Sequence, residues 1–175
     1  MSESEFSHIL KLDEIGGTRK IALSADDAEC RALAKRFGLL ALKDLTANAE
    51  LYRDGEAVRV SGIFSAKVAQ ACIASGEPVP EDISEELNLI FIPNLDHAPD
   101  AEIELSSDEC ESIFHDGKSI DLGEAVAQSV ALALNPYPRS DGAEEALRTA
   151  GVKSEEEERE ESGPFAALAE LKAKE

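Results

Sequence analysis

The chain has 175 residues, with 37 Asp and Glu against 17 Lys and Arg for a formal charge of -20, and 43% of it is hydrophobic. That length suits one domain able to bury roughly two thirds of its unfolded surface without disulfide staples, which excludes a wholly disordered chain. The acidity excludes the simplest nucleic-acid binder, which is basic overall, and points toward basic partners. Glu3 and Glu5 stand where a secretory signal carries Lys or Arg, and apolar runs such as Leu39 to Leu42 are far below the roughly 18 residues of a membrane span. The expectation is a soluble, cytoplasmic protein. Cys30, Cys72 and Cys110 are odd in number and widely spaced, so they give no disulfide framework.

The charge is unevenly spread. Residues 1–67 are nearly balanced, whereas residues 68–117 hold thirteen Asp or Glu and no Lys or Arg. Such a run is either a solvated face or a docking surface for basic protein. A short strand is predicted near Phe6 to Leu12, a turn at Gly16-Gly17, and a second strand over Arg19 to Leu23. Ser24 is placed to cap a helix in which Asp26 and Asp27 favour the positive dipole end, Cys30, Leu33 and Phe37 form an apolar stripe, and Gly38 ends it.

From Leu45 the period becomes two. Leu45, Ala47, Ala49 and Leu51 alternate with polar neighbours, as do Val58, Val60, Gly62, Phe64, Ala66 and Val68, with Asp54-Gly55 between them as a type I′ hairpin turn. Glu77 to Ile92 reads as a third long strand stopped by Pro93. Residues 94–119 read as loop with one short strand around Ile103 to Leu105. A second helix follows from Asp121 to Leu134; Asp121 and Glu124 resemble a capping box, and Leu122, Val126, Val130, Ala133 and Leu134 share a face. Residues 140–163 are rich in Glu and Gly and read as a flexible acidic linker, after which Pro164 opens a short helix with Phe165, Leu168 and Leu171. The organisation expected is a single domain over 1–139, a disordered linker over 140–163 and a short amphipathic helix over 164–175. The fold class expected is α+β: a twisted antiparallel sheet over residues 45–92 with long hairpins, carrying two packed helices.

No chemistry assembles from spacing alone. His8, His97 and His115 lie far apart, no serine sits in a nucleophile elbow, and neither glycine-rich phosphate-loop pattern is present. Cys110 with His115 is the nearest approach to a metal pair and is far short of a tetrahedral ligand set. The expectation is therefore a protein without enzymatic activity, cofactor, metal or small-molecule substrate. Arg31, Lys35 and Arg36 on the first helix are the candidate RNA contacts, although only 5% of residues are aromatic, too few for a base-stacking platform.

Two stretches taken together carry a resemblance: Ser119-Ile120-Asp121-Leu122-Gly123-Glu124-Ala125-Val126 running into Ala131 through Asn135-Pro136-Tyr137-Pro138, and the terminal Gly163-Pro164-Phe165-Ala166-Ala167-Leu168. With Val60-Ser61-Gly62 and Cys72-Ile73-Ala74-Ser75-Gly76-Glu77-Pro78-Val79 upstream, this order resembles the YceD-like family, the large ribosomal RNA subunit accumulation proteins. The resemblance implies a non-enzymatic factor for accumulation or processing of 23S ribosomal RNA and large-subunit assembly, with a basic ribosomal protein, a processing factor or a pre-large-subunit particle as partner. Family members commonly carry a C-x-x-C where this chain has Cys72 and Ser75, so a family zinc role does not carry over. The cysteine-free linker looks like the form in alphaproteobacterial relatives. The residues assigned to partner binding are Glu81, Asp82, Glu85, Glu86, Asp121, Leu122, Phe165 and Leu168. The alternative is a general acidic chaperone or decoy for basic proteins, which needs charge alone.

Overall fold

In the computed structural model, which describes residues 4–94 and 111–153, the chain forms two compact units. The first comprises residues 1–70 and 80–136; the second comprises 71–79 and the chain from 137 onward. The first unit is built on a five-stranded sheet of order β2-β3-β4-β5-β6: β2 (Thr18–Ser24), β3 (Ala41–Asp54), β4 (Ala57–Ala71), β5 (Pro78–Pro93) and β6 (Glu111–His115). A separate pair joins β1 (Ile9–Lys11) to β7 (Ser119–Asp121). The architecture is α+β, as the sequence predicts, and larger than the predicted sheet: β2 adds to one edge and β6 pairs parallel to β5 at the other.

Alternation explains the long strands. Leu45, Ala47, Ala49 and Leu51 on β3 and Val58, Val60, Phe64, Ala66 and Val68 on β4 are buried on one face, their neighbours facing away. The hairpin is where it was predicted, but Asp54 pairs with Ala57, so the two loop residues are Gly55 and Glu56. Only Gly55 has positive φ, at 64°, the pattern of a glycine-first II′ turn rather than the predicted I′. A bulge between Lys43 and Thr46 places Asp44 at φ 53°, its carboxylate taking the Lys67 ammonium at 2.8 Å. Gly62 is required by close approach: a Cβ there would lie 2.1 Å from the Asn48 carbonyl oxygen.

Helix α1 (Asp27–Phe37) starts later than predicted. Ser24 is the last residue of β2; the cap is Asp26, whose carboxylate accepts the Ala28 and Glu29 N–H groups while Glu29 returns a bond to the Asp26 N–H. Those donors hold the Asp26 carboxyl below its ordinary pKa, and two-sided capping outcompetes a lone hydroxyl. Gly38 closes the helix in the left-handed region at φ 68°. Helix α2 (Leu122–Ala133) buries Leu122, Ala125, Val126, Ala127 and Val130 in the same core cluster as Leu33 of α1 and the inner face of the sheet.

In the second unit, residues 143–149 form helix α3 (Ala143–Thr149), within the stretch predicted to be a disordered linker. Ala143 is buried, and the first turn has Glu144 and Glu145 at its positive end with Arg148 in its last turn. The predicted helix from Pro164, the strand near Ile103 to Leu105 and the remainder of the linker lie outside the described residues. No helix among those described is long and apolar enough to cross a membrane.

Candidate interaction surfaces

The sequence Asp121-Leu122-Gly123-Glu124 forms a clasp for the N-terminal segment. Asp121 caps α2 by accepting the Glu124 N–H at 3.0 Å, and the same carboxylate accepts the His8 N–H at 2.8 Å and the Ser7 hydroxyl at 2.6 Å. The Leu122 N–H donates to the His8 carbonyl at 3.0 Å. Gly123 lets that backbone seat on the helix, since a Cβ would lie 2.7 Å from both the His8 nitrogen and the Phe6 oxygen. The predicted capping box is therefore half made: Glu124 does not return to Asp121 but takes both Arg36 guanidinium nitrogens, the Ser4 hydroxyl and the Gln128 amide. The Arg36 bonds, with Ser4 and Gln128 adding to them, hold the Glu124 carboxyl down at about 2. Arg36 also reaches Glu5 at 3.0 Å and lies 5.5 Å from the Phe37 ring centroid; its bonds to Glu124, and after them those to Glu5, push its pKa up.

These contacts sort the residues picked out from the sequence. Leu122 is fully buried, and the half-buried Asp121 takes part in the clasp through its carboxylate. Arg36 is likewise engaged, whereas Arg31 and Lys35 are exposed on α1. On β5, Asp82, Glu85 and Glu86 are exposed and Glu81 is half-buried. Asp82 adds to the field around Lys67; no Lys or Arg among the described residues pairs with Glu85 or Glu86. Phe165 and Leu168 lie outside the described residues.

Beside Glu85 and Glu86 lies a groove that no sequence pattern marks. About 330 Å³ of space lies between β5 and the last turn of α2, lined by Phe64, Glu85, Leu89, Ser129, Leu132 and Ala133 among others. A second groove, about 300 Å³, runs past β6 with Ile9 and Phe114 exposed at its edge and Asp116, Asp121 and Glu124 around it. Its acids are occupied: Asp116 accepts the Lys118 and Ser119 N–H groups, and the other two form the clasp.

The second unit contains a polar knot. The Cys72 sulfur accepts the Ser75 N–H at 3.4 Å, and the Ser75 and Ser140 hydroxyls lie 3.0 Å apart and 3.1 and 2.8 Å from the Glu77 carboxylate, their two protons shared among these three contacts. The Ile73 N–H donates to the Pro138 carbonyl at 2.9 Å, tying the two segments of the unit. The Ser140 hydroxyl and N–H, followed by the Ser75 groups, pull the Cys72 thiol down to about 6, although its side chain is buried. Cys72 is thus buried but held by polar donors rather than packed as a plain apolar residue. Among the described residues no three His, Cys, Asp or Glu side chains group as a metal site.

Fold and contacts together define an α+β protein whose long strands and capped helices hold a clasped N-terminal segment, with acidic and apolar surface left for contact. The chain belongs to the family described as large ribosomal RNA subunit accumulation protein YceD, whose model matches residues 60–172. That match runs from β4 through β5, α2 and α3, and includes both the Asp121 to Glu124 clasp and the Cys72 knot. No curated protein and no solved structure matches the chain.

Proposed function

We propose that the protein is a non-enzymatic, cytoplasmic factor supporting 23S ribosomal RNA accumulation and large-subunit assembly, acting by binding a basic protein partner or a pre-large-subunit particle. The family match over residues 60–172 carries this reading. The charge supports it: thirteen Asp or Glu and no Lys or Arg over 68–117 give this stretch a negative charge that attracts basic ribosomal protein at long range. The competing reading, a general acidic holdase for basic proteins, draws on the net charge of -20 alone.

Sucrose-gradient sedimentation of a gentle, low-salt lysate separates the two. Co-migration of the tagged protein with immature large-subunit particles is the expected result, and it should weaken as salt is raised. Confinement to light fractions with assorted basic proteins refutes the assembly role and favours the holdase.

A further inference from the structure

We infer that the groove between β5 and the C-terminal turn of α2 is the docking site for a basic segment of a partner protein, which inserts one aliphatic side chain between flanking Lys or Arg residues. This rests on the reading of the protein as a binder of basic partners and names the surface that does it.

Three features of one place carry the inference. The first is apolar: Leu132 is 69% exposed at the groove edge, above a floor reached by Leu89 and Phe64, each 2% exposed. The neutral polar side chains in the wall already have acceptors, the Ser129 hydroxyl donating to the Ala125 carbonyl at 3.1 Å and the Asn88 amide to the Glu86 carboxylate at 3.4 Å, so an entering methyl group strands neither donor. The second is ionic. Glu85 falls on the same face of β5 as Ile83, Leu87 and Leu89 by alternation, yet it is exposed, so a carboxylate stands among the core-facing positions of the strand. Glu86 follows it, and no Lys or Arg among the described residues neutralises either.

The third feature is the helix end. The last turn of α2 contains no basic residue to offset the partial negative charge of its terminal carbonyl groups, at the same end as Leu132 and Ala133. Carboxylates and a helix C-terminus around an apolar slot complement a cationic segment with an aliphatic anchor, and repel an acidic one. The groove beside β6 has similar apolar edges, but its carboxylates are spent on backbone N–H groups and Arg36.

The test uses the full-length chain and a fluorescein-labelled peptide, Lys-Arg-Lys-Leu-Lys-Arg-Lys, against the same peptide with Ser in place of Leu, read by fluorescence anisotropy. The Leu peptide should bind about tenfold tighter, the effect of burying one Leu side chain. Leu132→Ser should erase that difference, and because Leu132 is exposed it should leave thermal stability nearly unchanged. Glu85→Gln with Glu86→Gln should weaken both peptides roughly five- to tenfold at low salt and flatten the salt dependence. Equal affinity for the two peptides, or unchanged binding by both variants, overturns the proposal. The triple variant is then run on the sucrose gradient beside the wild type. Loss of the variant alone from the particle fractions supports the groove, and retention of both overturns it while leaving the assembly role standing. Absence of the wild type from those fractions refutes the assembly role, and the peptide comparison decides the groove independently.

Discussion

Replacing glycine by alanine inside a helix ordinarily stabilises it by about 1 kcal/mol, because alanine restricts the unfolded chain and suits the helix. Gly123→Ala should do the reverse. The new methyl would stand 2.7 Å from the His8 nitrogen and the Phe6 oxygen, both backbone atoms, where ordinary contact needs about 0.7 Å more. The helix is fixed by Val126 and Val130 in the core, so the N-terminal segment is the part that moves. Moving it strains three bonds: His8 N–H to Asp121 at 2.8 Å, Ser7 hydroxyl to Asp121 at 2.6 Å, and Leu122 N–H to the His8 carbonyl at 3.0 Å. At about 1 kcal/mol for each neutral bond and somewhat more for those to a carboxylate, roughly 3–4 kcal/mol is lost against about 1 gained, a net destabilisation of about 2–3 kcal/mol. For a domain of this size that lowers Tm by roughly 5–10 °C. Urea unfolding followed by far-UV circular dichroism measures the change, and hydrogen exchange locates it: the amides of His8 and Leu122 should lose protection before those of β3 and β4. An unchanged or raised midpoint would refute the close-packed clasp.

Two further outcomes follow from the polar contacts. The Glu124 carboxyl is lowered from 4.5 to about 2 by Arg36, so its stabilising contribution is complete above about pH 4.5 and is lost as pH falls toward 2; urea midpoints of wild type should fall across that window more steeply than those of Glu124→Gln, and parallel curves would sink the assignment. The Cys72 thiol, lowered to about 6, should give a thiolate absorbance step near 240 nm centred close to pH 6 in the wild-type minus Cys72→Ala difference; a step in the ordinary thiol range near 8.5 would show that the Ser75 and Ser140 donors do not act on the sulfur.

Much of the fold was legible because it depends on patterns local in sequence. Period-two alternation over Leu45 to Val68 marked the hairpin, Pro93 marked the end of β5, and Asp121 with its apolar face marked α2, since burying one face of a strand or helix forces that periodicity. Local signals misplaced what depends on competition between neighbours. Ser24 and Asp26 are both able to cap, and Asp26 prevails because Glu29 completes a reciprocal pair. Residues 143–149 looked too polar to order, but burial of Ala143 within the second unit accompanies a helix there.

The acidic middle of the chain, the long strands, the two main helices and the family resemblance follow from composition and short spacing, and so are written in the sequence. Tertiary structure alone decided which of the charged residues are available. Glu124 and Arg36, 88 positions apart, become partners, while Glu85 and Glu86 form no ion pair among the described residues and stand beside an exposed Leu132, because ion pairing and groove formation depend on distances across elements that no local pattern encodes.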